Sequence, residues 1–165
     1  MGQKLGGSDT QITQCCDALI GPFFFPGNVT SESYTIVLRE KFYPVVADWP
    51  DIQERWFQHD GAPAHYGNVA RKWLTDTFGN RWIGRRGGLE WPPRSPDLTP
   101  PDFFLWGVIK EAVYSTKPRS LEELKERITN AFHSITPELC HKVCSSMENR
   151  VLKCIEVNGG QFEYL

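Results

Sequence analysis

Two aspartates in this 165-residue chain stand where a carboxylate can do chemistry: Asp60 in "WFQHDGAPAH" and Asp102 in "SPDLTPPDFFLWG". Asp60 ends a short apolar run at a turn, and Asp102 comes just before a new apolar run. If folding brings the two carboxylates together, they repel each other unless a cation lies between them. Hard divalent ions such as Mg²⁺ prefer carboxylate oxygens, and a pair of them about 3.5–4 Å apart can drive phosphoryl transfer. The two residues therefore raise the hypothesis of a metal site.

Each aspartate also has an ordinary structural interpretation. An Asp after a strand often caps a turn, and the helix dipole favours an Asp in the first turn of a helix. Spacing alone leaves both interpretations open. His59 and His65 flank Asp60, and they either position a phosphate or water or hydrogen-bond the local backbone. Asp97 lies in a proline-bounded bend and is interpreted as a turn residue.

The elements that must position these residues follow from the periodicity of the apolar residues. Apolar and aromatic runs at 18–25, 55–60 and 81–84 predict short strands. Three- and four-residue spacing predicts helices, which begin near Ser31, Pro63, Pro101, Ser120 and Thr136. Ser31 is the predicted cap of the first helix, and Val69, Trp73 and Leu74 are the predicted inner face of the second.

The order of the predicted elements gives an α/β fold with a helical C-terminal side. Between the strands and the C-terminal helices, residues 85–101 hold five of the twelve prolines and two adjacent glycines. This segment is predicted to be a long loop, and loops of this length in a small domain are usually functional.

Composition narrows the class of protein. A formal charge of −2 argues against coating nucleic acid by charge alone. The five cysteines form no pair of CxxC motifs, and Cys140 and Cys144 with His141 are either metal ligands or buried structural residues.

No apolar run approaches the roughly 20 residues that span a membrane, and the N-terminus lacks a signal-peptide core. The nucleus or cytosol is the expected location.

Three stretches, "LIGPFFFPG", "FQHDGAPAH" and "WPPRSPDLTPPDFFLWG", together resemble the catalytic domain of mariner-type transposases, which belong to the DDE/DDD superfamily. The resemblance covers residues 18–165 and implies a truncated ribonuclease H-like fold, with a short mixed sheet, helices and a helical C-terminal side. Residues 1–17 are expected to be a divergent, poorly ordered segment. By the resemblance, Asp60 and Asp102 are the second and third catalytic acids, and both bind Mg²⁺ or Mn²⁺ for DNA cleavage and strand transfer.

The chain departs from the family pattern before its first predicted strand. The family's first catalytic Asp lies upstream of the strand that corresponds to "GPFFF", where this chain offers only Asp9 and Asp17. Asp17 abuts the predicted strand, where the family has a turn, and Asp9 lies in a polar tail with no strand-like apolar run before it. We also expect the helix-turn-helix DNA-binding region that precedes the family's catalytic domain to be absent. We therefore expect a transposase-derived protein that is catalytically incomplete, with weak or absent metal binding and residual nucleic-acid binding.

Basic residues between the two acids are expected to contact DNA phosphates, with a solvated loop as the alternative. They are Arg71, Lys72, Arg85, Arg86 and Arg94. The expected partners are DNA, held weakly, and a second transposase chain in a homodimer or a heterodimer with a full-length transposase; no membrane is expected. Two other functions stay open: an active endonuclease, and an interaction protein that pairs with a full-length transposase or serves a host role without DNA chemistry.

Overall fold

The structure is a computed structural model that describes residues 4–5, 8–14, 19–91, 95–160 and 162. The chain divides into two units. The first comprises Met1–Thr10 and Phe23–Arg94, and the second comprises Gln11–Pro22 and Ser95–Leu165. Asp60 belongs to the first unit and Asp102 to the second.

Three strands near the N-terminus form one sheet in the order β1 (Lys4–Leu5), β2 (Ser8–Gln14), β3 (Leu19–Phe24). β1 pairs antiparallel with β2, and Asp9 lies in β2. β3 is the strand that the run at 18–25 predicts. β2 contains Ile12, near which the sequence predicts at best a short strand, and Asp17 lies outside the described residues.

The first helical region consists of α1 (Ser31–Val37), a wide π-helical turn (Leu38–Phe42) and α2 (Tyr43–Val46). The predicted cap, Ser31, is wrong by one residue. Thr30 has an extended backbone, so its Oγ1 can turn back and accept a hydrogen bond from the N–H of Ser33 at 3.2 Å. Oγ of Ser33 accepts from the N–H of Thr30 at 2.9 Å, which completes a capping box.

A second sheet contains β4 (Phe57–Gln58), β5 (Trp82–Gly84) and β6 (Leu89–Glu90), with β4 and β6 both parallel to β5. The connection from β4 to β5 contains α3 (Asn68–Phe78).

The predicted start of α3 at Pro63 is wrong, because the preceding residues form a turn. In this turn the N–H of His65 donates to the carbonyl of Ala62 at 2.9 Å, and α3 begins only after Gly67. The predicted inner face is correct for Leu74, which is fully buried, and wrong for Val69, which is 45% exposed.

The core of the first unit is aromatic and aliphatic. α1 packs on α3, and Phe57 of β4 stacks on Phe78 of α3 at a centroid distance of 5.6 Å. The other fully or nearly buried apolar members among the described residues are Phe25, Tyr34, Val37, Leu38, Phe42, Val46, Ala70, Leu74 and Trp82. This core fixes β4 and β5, and therefore the place where the chain turns at Asp60.

The part of the second unit that follows Ser95 is helical, as the sequence predicts. Its elements are a 3₁₀ turn (Pro96–Leu98), a π-helical turn (Pro101–Leu105), α4 (Trp106–Tyr114), α5 (Leu121–His133), α6 (Pro137–Ser145) and α7 (Met147–Glu156). Its buried apolar residues include Leu105, Ile109, Val113, Leu124, Ile128, Phe132 and Cys140. None of the described helices has both the length and the apolar character needed to cross a membrane.

Side-chain caps start α5 and α6 where the sequence predicts. Ser120 Oγ accepts from the N–H of Glu123 at 3.1 Å, and Thr136 Oγ1 accepts from the N–H of Leu139 at 3.3 Å. The predicted capping box at Ser120 is half formed, because the Glu123 carboxylate accepts from the N–H of Arg119 instead. The single last helix that the sequence predicts is two helices, which divide at Ser146.

Candidate functional site

Asp60 lies just beyond the carboxyl end of β4, at the sheet edge where α/β folds usually bind ligands. Its Oδ1 accepts a hydrogen bond from the N–H of Ala62 at 3.0 Å and lies 2.5 Å from Nδ1 of His65. Only 14% of the Asp60 side chain is exposed. Oδ1 of Asp60 therefore caps a turn, which is the ordinary structural interpretation of this residue. The same contacts hold the carboxylate in a fixed direction.

Two buried histidines surround this carboxylate. His65 is 3% exposed and His59 is 6% exposed, and their rings stack nearly parallel at 9° with centroids 5.4 Å apart. Burial lowers the pKa of His59 to about 3 and also lowers the pKa of His65, because a charged imidazolium is poorly solvated there. The sequence predicts that His65 either hydrogen-bonds the local backbone or positions a phosphate or water. In the structure its side chain contacts Asp60.

Asp102 lies in the π-helical turn that opens the helix, as the sequence predicts. Its N–H donates to the carbonyl of Thr99 at 2.8 Å, so the backbone position is fixed. The side chain is half-buried, and burial raises the pKa of its carboxyl. Oδ1 of Asp102 is buried and hydrogen-bonds nothing within the described part of the chain.

Arg150 of α7 fixes the segment that leads into Asp102. Its Nη1 donates to the carbonyl of Asp97 at 2.8 Å, and its guanidinium lies 3.8 Å from the ring centroid of Phe103, the neighbour of Asp102. No periodicity in the sequence links residue 150 to this segment, and the contact was not predicted.

Considered separately, each within its own unit, the two aspartates have features expected of ligands to a divalent cation. Asp102 presents a buried oxygen without a described hydrogen-bond partner, which is costly unless a cation or a proton neutralises it. Oδ1 of Asp60 lies within hydrogen-bonding distance of both the N–H of Ala62 and Nδ1 of His65. Among the described residues no three His, Cys, Asp or Glu side chains are grouped closely enough to form a metal cluster, and this includes Cys140, Cys144 and His141.

Three of the predicted DNA-contact residues lie together in the first unit. Arg71 and Lys72 of α3 and Arg86 line an open cleft of about 320 Å³, whose other lining residues are Asn68, Thr75, Asp76 and Trp82. Lys72 pairs with Asp76 at 2.7 Å, while Arg71 Nη2 donates to the neutral Asn68 at 2.6 Å. Among the described residues that line the cleft, three are cationic and one is acidic.

The remaining two predicted contact residues are elsewhere. The guanidinium of Arg85 lies over the Tyr66 ring, 4.3 Å from its centroid, and Arg85 does not line the cleft. Arg94 lies outside the described residues. Arg86 has a φ of 61°, in the left-handed region that glycine adopts most easily.

Known proteins with similar sequences are transposases. The Tc3 transposase of Caenorhabditis elegans is 35% identical over 111 residues, which are 66% of this chain and 31% of that protein. The Tc1 transposase of the same organism is 29% identical over 108 residues, which are 66% of this chain and 37% of that protein. The chain thus spans about a third of the length of these curated relatives. No protein-family model matches it.

Solved structures with the same fold come from Mos1 transposase. Its catalytic domain, solved with Raltegravir and Mg, has a TM-score of 0.79 at 22% identity, and the match covers 94% of this chain and 77% of that one. The Mos1 mariner paired end complex with Mn has a TM-score of 0.79 at 23% identity, covering 98% of this chain and 47% of that one.

The fold is therefore the ribonuclease H-like fold of a transposase catalytic domain, as the sequence predicts. The resemblance of this chain to transposases of the mariner/Tc1 type is confirmed, by the Tc3 and Tc1 sequences and by the Mos1 fold.

Proposed function

We propose that this chain is a transposase-derived catalytic domain that acts in the nucleus, binds DNA weakly and binds a divalent cation through Asp60 and Asp102. We further propose that these 165 residues alone do not cut DNA. The observation that carries the proposal is the position of Asp60. It lies immediately beyond β4, with its carboxylate direction set by two hydrogen bonds, in a fold shared with the Mos1 catalytic domain solved with Mg and with Mn.

The cation would be Mg²⁺ or Mn²⁺, because the candidate ligands are carboxylate oxygens. Asp60 and Asp102 would hold it, and the buried Oδ1 of Asp102 would gain the partner that the described residues do not supply. When bound in such sites, these ions activate a water or a 3′-hydroxyl and stabilise the leaving oxygen of a phosphate. Because this chain offers two matched acids rather than three, we expect weak binding.

Cleavage would require a third carboxylate. Asp9 lies in β2, and Asp17 lies outside the described residues. We propose that neither serves as the first acid. Supercoiled plasmid incubated with the protein and Mn²⁺ should therefore remain uncut. Nicking that disappears in Asp60→Asn would show instead that the chain is an active endonuclease.

Cation binding is tested directly by calorimetric titration with Mn²⁺. The unaltered protein should bind weakly, and Asp60→Asn and Asp102→Asn should each abolish the heat of binding. Asp97→Asn is the matched control. It removes a carboxylate close to Asp102 in the sequence that we interpret as a residue of the Pro96–Leu98 turn and not as a ligand. Loss of binding in Asp97→Asn, or its persistence in both other variants, would contradict the assignment.

DNA binding is proposed to use the cleft lined by Arg71, Lys72 and Arg86. Anisotropy of a labelled duplex, measured across salt concentrations, should show affinity that falls as salt rises. Replacing all three with Gln should reduce the salt slope by about 0.9 for each phosphate that the protein no longer neutralises. Lys110, Lys142 and Lys153, which are exposed in the second unit, provide a triple Gln control. An equal reduction in both triple variants would contradict a role for the cleft.

A second candidate function is favoured by the surface of α7. Every residue of this helix is exposed or half-buried, and Leu152 and Ile155 are 51% and 66% exposed. Such an apolar surface fits an interaction protein that pairs with a full-length transposase. Co-purification with a full-length homologue in the absence of DNA, lost in Ile155→Lys, would favour this function over DNA binding.

A further inference from the structure

Behind Asp60 lies a buried group of rings, Tyr34, His59 and His65, which we call the imidazole stack. The ring centroids of Tyr34 and His65 are 4.3 Å apart, and those of His59 and His65 are 5.4 Å apart. All three side chains are buried, and Tyr34 is 1% exposed. The stack is therefore part of the core of the first unit and has little freedom to move.

The proton on His65 can be assigned from its partner. A carboxylate only accepts hydrogen bonds, so Nδ1 of His65 must carry the proton that it donates to Oδ1 of Asp60 at 2.5 Å. The N–H of Ala62 donates to the same oxygen at 3.0 Å. Two donors on a single oxygen fix the plane of the carboxylate as well as its position.

The other members of the stack hold the His65 ring in place. The Tyr34 hydroxyl lies 3.4 Å from Nδ1 of His59, and burial raises the pKa of Tyr34, so this hydroxyl stays protonated and can donate. His59 in turn is close to Gly84, where any Cβ would collide with its ring. A shift of the His65 ring would require both neighbours to move.

We propose that His65 is a positioning residue, whose Nδ1–H holds the Asp60 carboxylate in the one orientation that receives the cation. This inference rests on the proposed cation binding by Asp60. In metal sites generally, a partner that hydrogen-bonds a ligand controls the orientation of that ligand, and its removal typically weakens metal binding by about 10–100-fold.

Substitutions of His65 can separate positioning from packing. The side-chain nitrogen of Asn lies near the place of Nδ1, and that of Gln lies near Nε2. His65→Asn should therefore keep Mn²⁺ affinity within about threefold, whereas His65→Gln should lose about tenfold or more. Urea unfolding of both variants shows whether their stabilities match. His133→Asn, at an exposed histidine of the second unit, is the control and should change neither quantity.

Equal Mn²⁺ affinity in His65→Gln and the unaltered protein would overturn the positioning role. Should both variants fail to fold, the ¹⁵N spectrum of the unaltered protein still tests the inference. Nδ1 of His65 should carry a proton in a strong hydrogen bond that is lost in Asp60→Asn, and a bare Nδ1 would overturn the role. Absence of any Asp60-dependent Mn²⁺ binding would instead contradict the proposed function, and with it the cation that His65 is inferred to serve.

Discussion

At the scale of single residues, Gly84 shows how closely the surroundings of Asp60 are packed. Gly84 ends β5, and a Cβ built on it would collide with the ring of His59 and lie 3.3 Å from Cζ3 of Trp82. Both neighbours are buried, with His59 6% and Trp82 2% exposed, so neither ring has space to retreat.

Gly84→Ala is therefore expected to lower the free energy of unfolding by about 1–3 kcal/mol, the usual range for overpacking a core. Urea denaturation measures the change. Gly107→Ala is the matched control, because Gly107 lies in α4 and a Cβ added there would meet no heavy atom within 4 Å. There the change should raise stability by up to about 1 kcal/mol, as glycine is unfavourable within a helix. Destabilisation of similar size at both positions would contradict this packing argument.

The sequence predicts the acids more readily than their partners. Asp60 and Asp102 stand out because each adjoins an apolar run and lies in a recognisable motif. The contact of His65 with Asp60 spans five residues of an irregular turn, for which no periodic rule exists, and Tyr34 reaches His59 from a different element. Tertiary packing decides the Tyr34 contact, and the irregular turn that brings His65 to Asp60 has no periodic pattern in the sequence.

At the scale of elements, Arg150 joins α7 to the start of the Asp102 helix. The guanidinium combines the hydrogen bond to the Asp97 carbonyl with stacking on Phe103, and it lies 5.8 Å from the ring centroid of Phe162. A planar, delocalised cation suits both the hydrogen bond and the stacking at once, whereas a lysine ammonium cannot stack in this way.

Arg150→Met should lower the free energy of unfolding by about 1–3 kcal/mol, because the variant has neither the charged hydrogen bond nor the cation–π interaction. Arg150→Lys should recover only part of this stability. Lys153→Met, at an exposed position of the same helix, should change stability by less than about 0.5 kcal/mol. Chemical denaturation of the three variants is sufficient, and an Arg150→Met protein as stable as Lys153→Met would rule out this role of Arg150.

The helices are predictable from periodicity, but their wide turns are not. The N–H of Tyr43 donates to Leu38 and that of Trp106 to Pro101, each five residues back rather than four. In the first case Pro44 follows, and because it has no N–H it cannot continue the regular ladder. A shift of one residue in hydrogen bonding leaves the apolar spacing almost unchanged, so the pattern of side chains does not reveal it.

At the scale of the whole molecule, the buried histidines make stability depend on pH. Burial holds the pKa of His59 at about 3 in the folded chain, while an unfolded histidine titrates near 6.5. Below about pH 6.5 the unfolded chain gains a proton that the folded chain does not accept, so unfolding becomes easier as pH falls towards 3. The lowered pKa of His65 acts in the same direction.

Urea unfolding at pH values of about 7, 6 and 5 should therefore show stability falling with pH, with His59 contributing up to about 1.4 kcal/mol per pH unit. His59→Leu should reduce this slope by that amount, whatever its effect on stability at neutral pH. His133→Leu, at an exposed histidine, is the control and should leave the slope unchanged. A slope identical in His59→Leu and the unaltered protein would contradict the assignment of His59 as neutral.

The backbone at Arg86 has an evolutionary consequence. A non-glycine residue in the left-handed region costs about 1 kcal/mol, so Arg86→Gly should relax the chain while removing a cation from the cleft. Selection for stability alone would favour glycine at this position, whereas selection for binding a polyanion would favour arginine. In related genes that are no longer selected for binding a polyanion, arginine at this position should be among the first residues to be replaced.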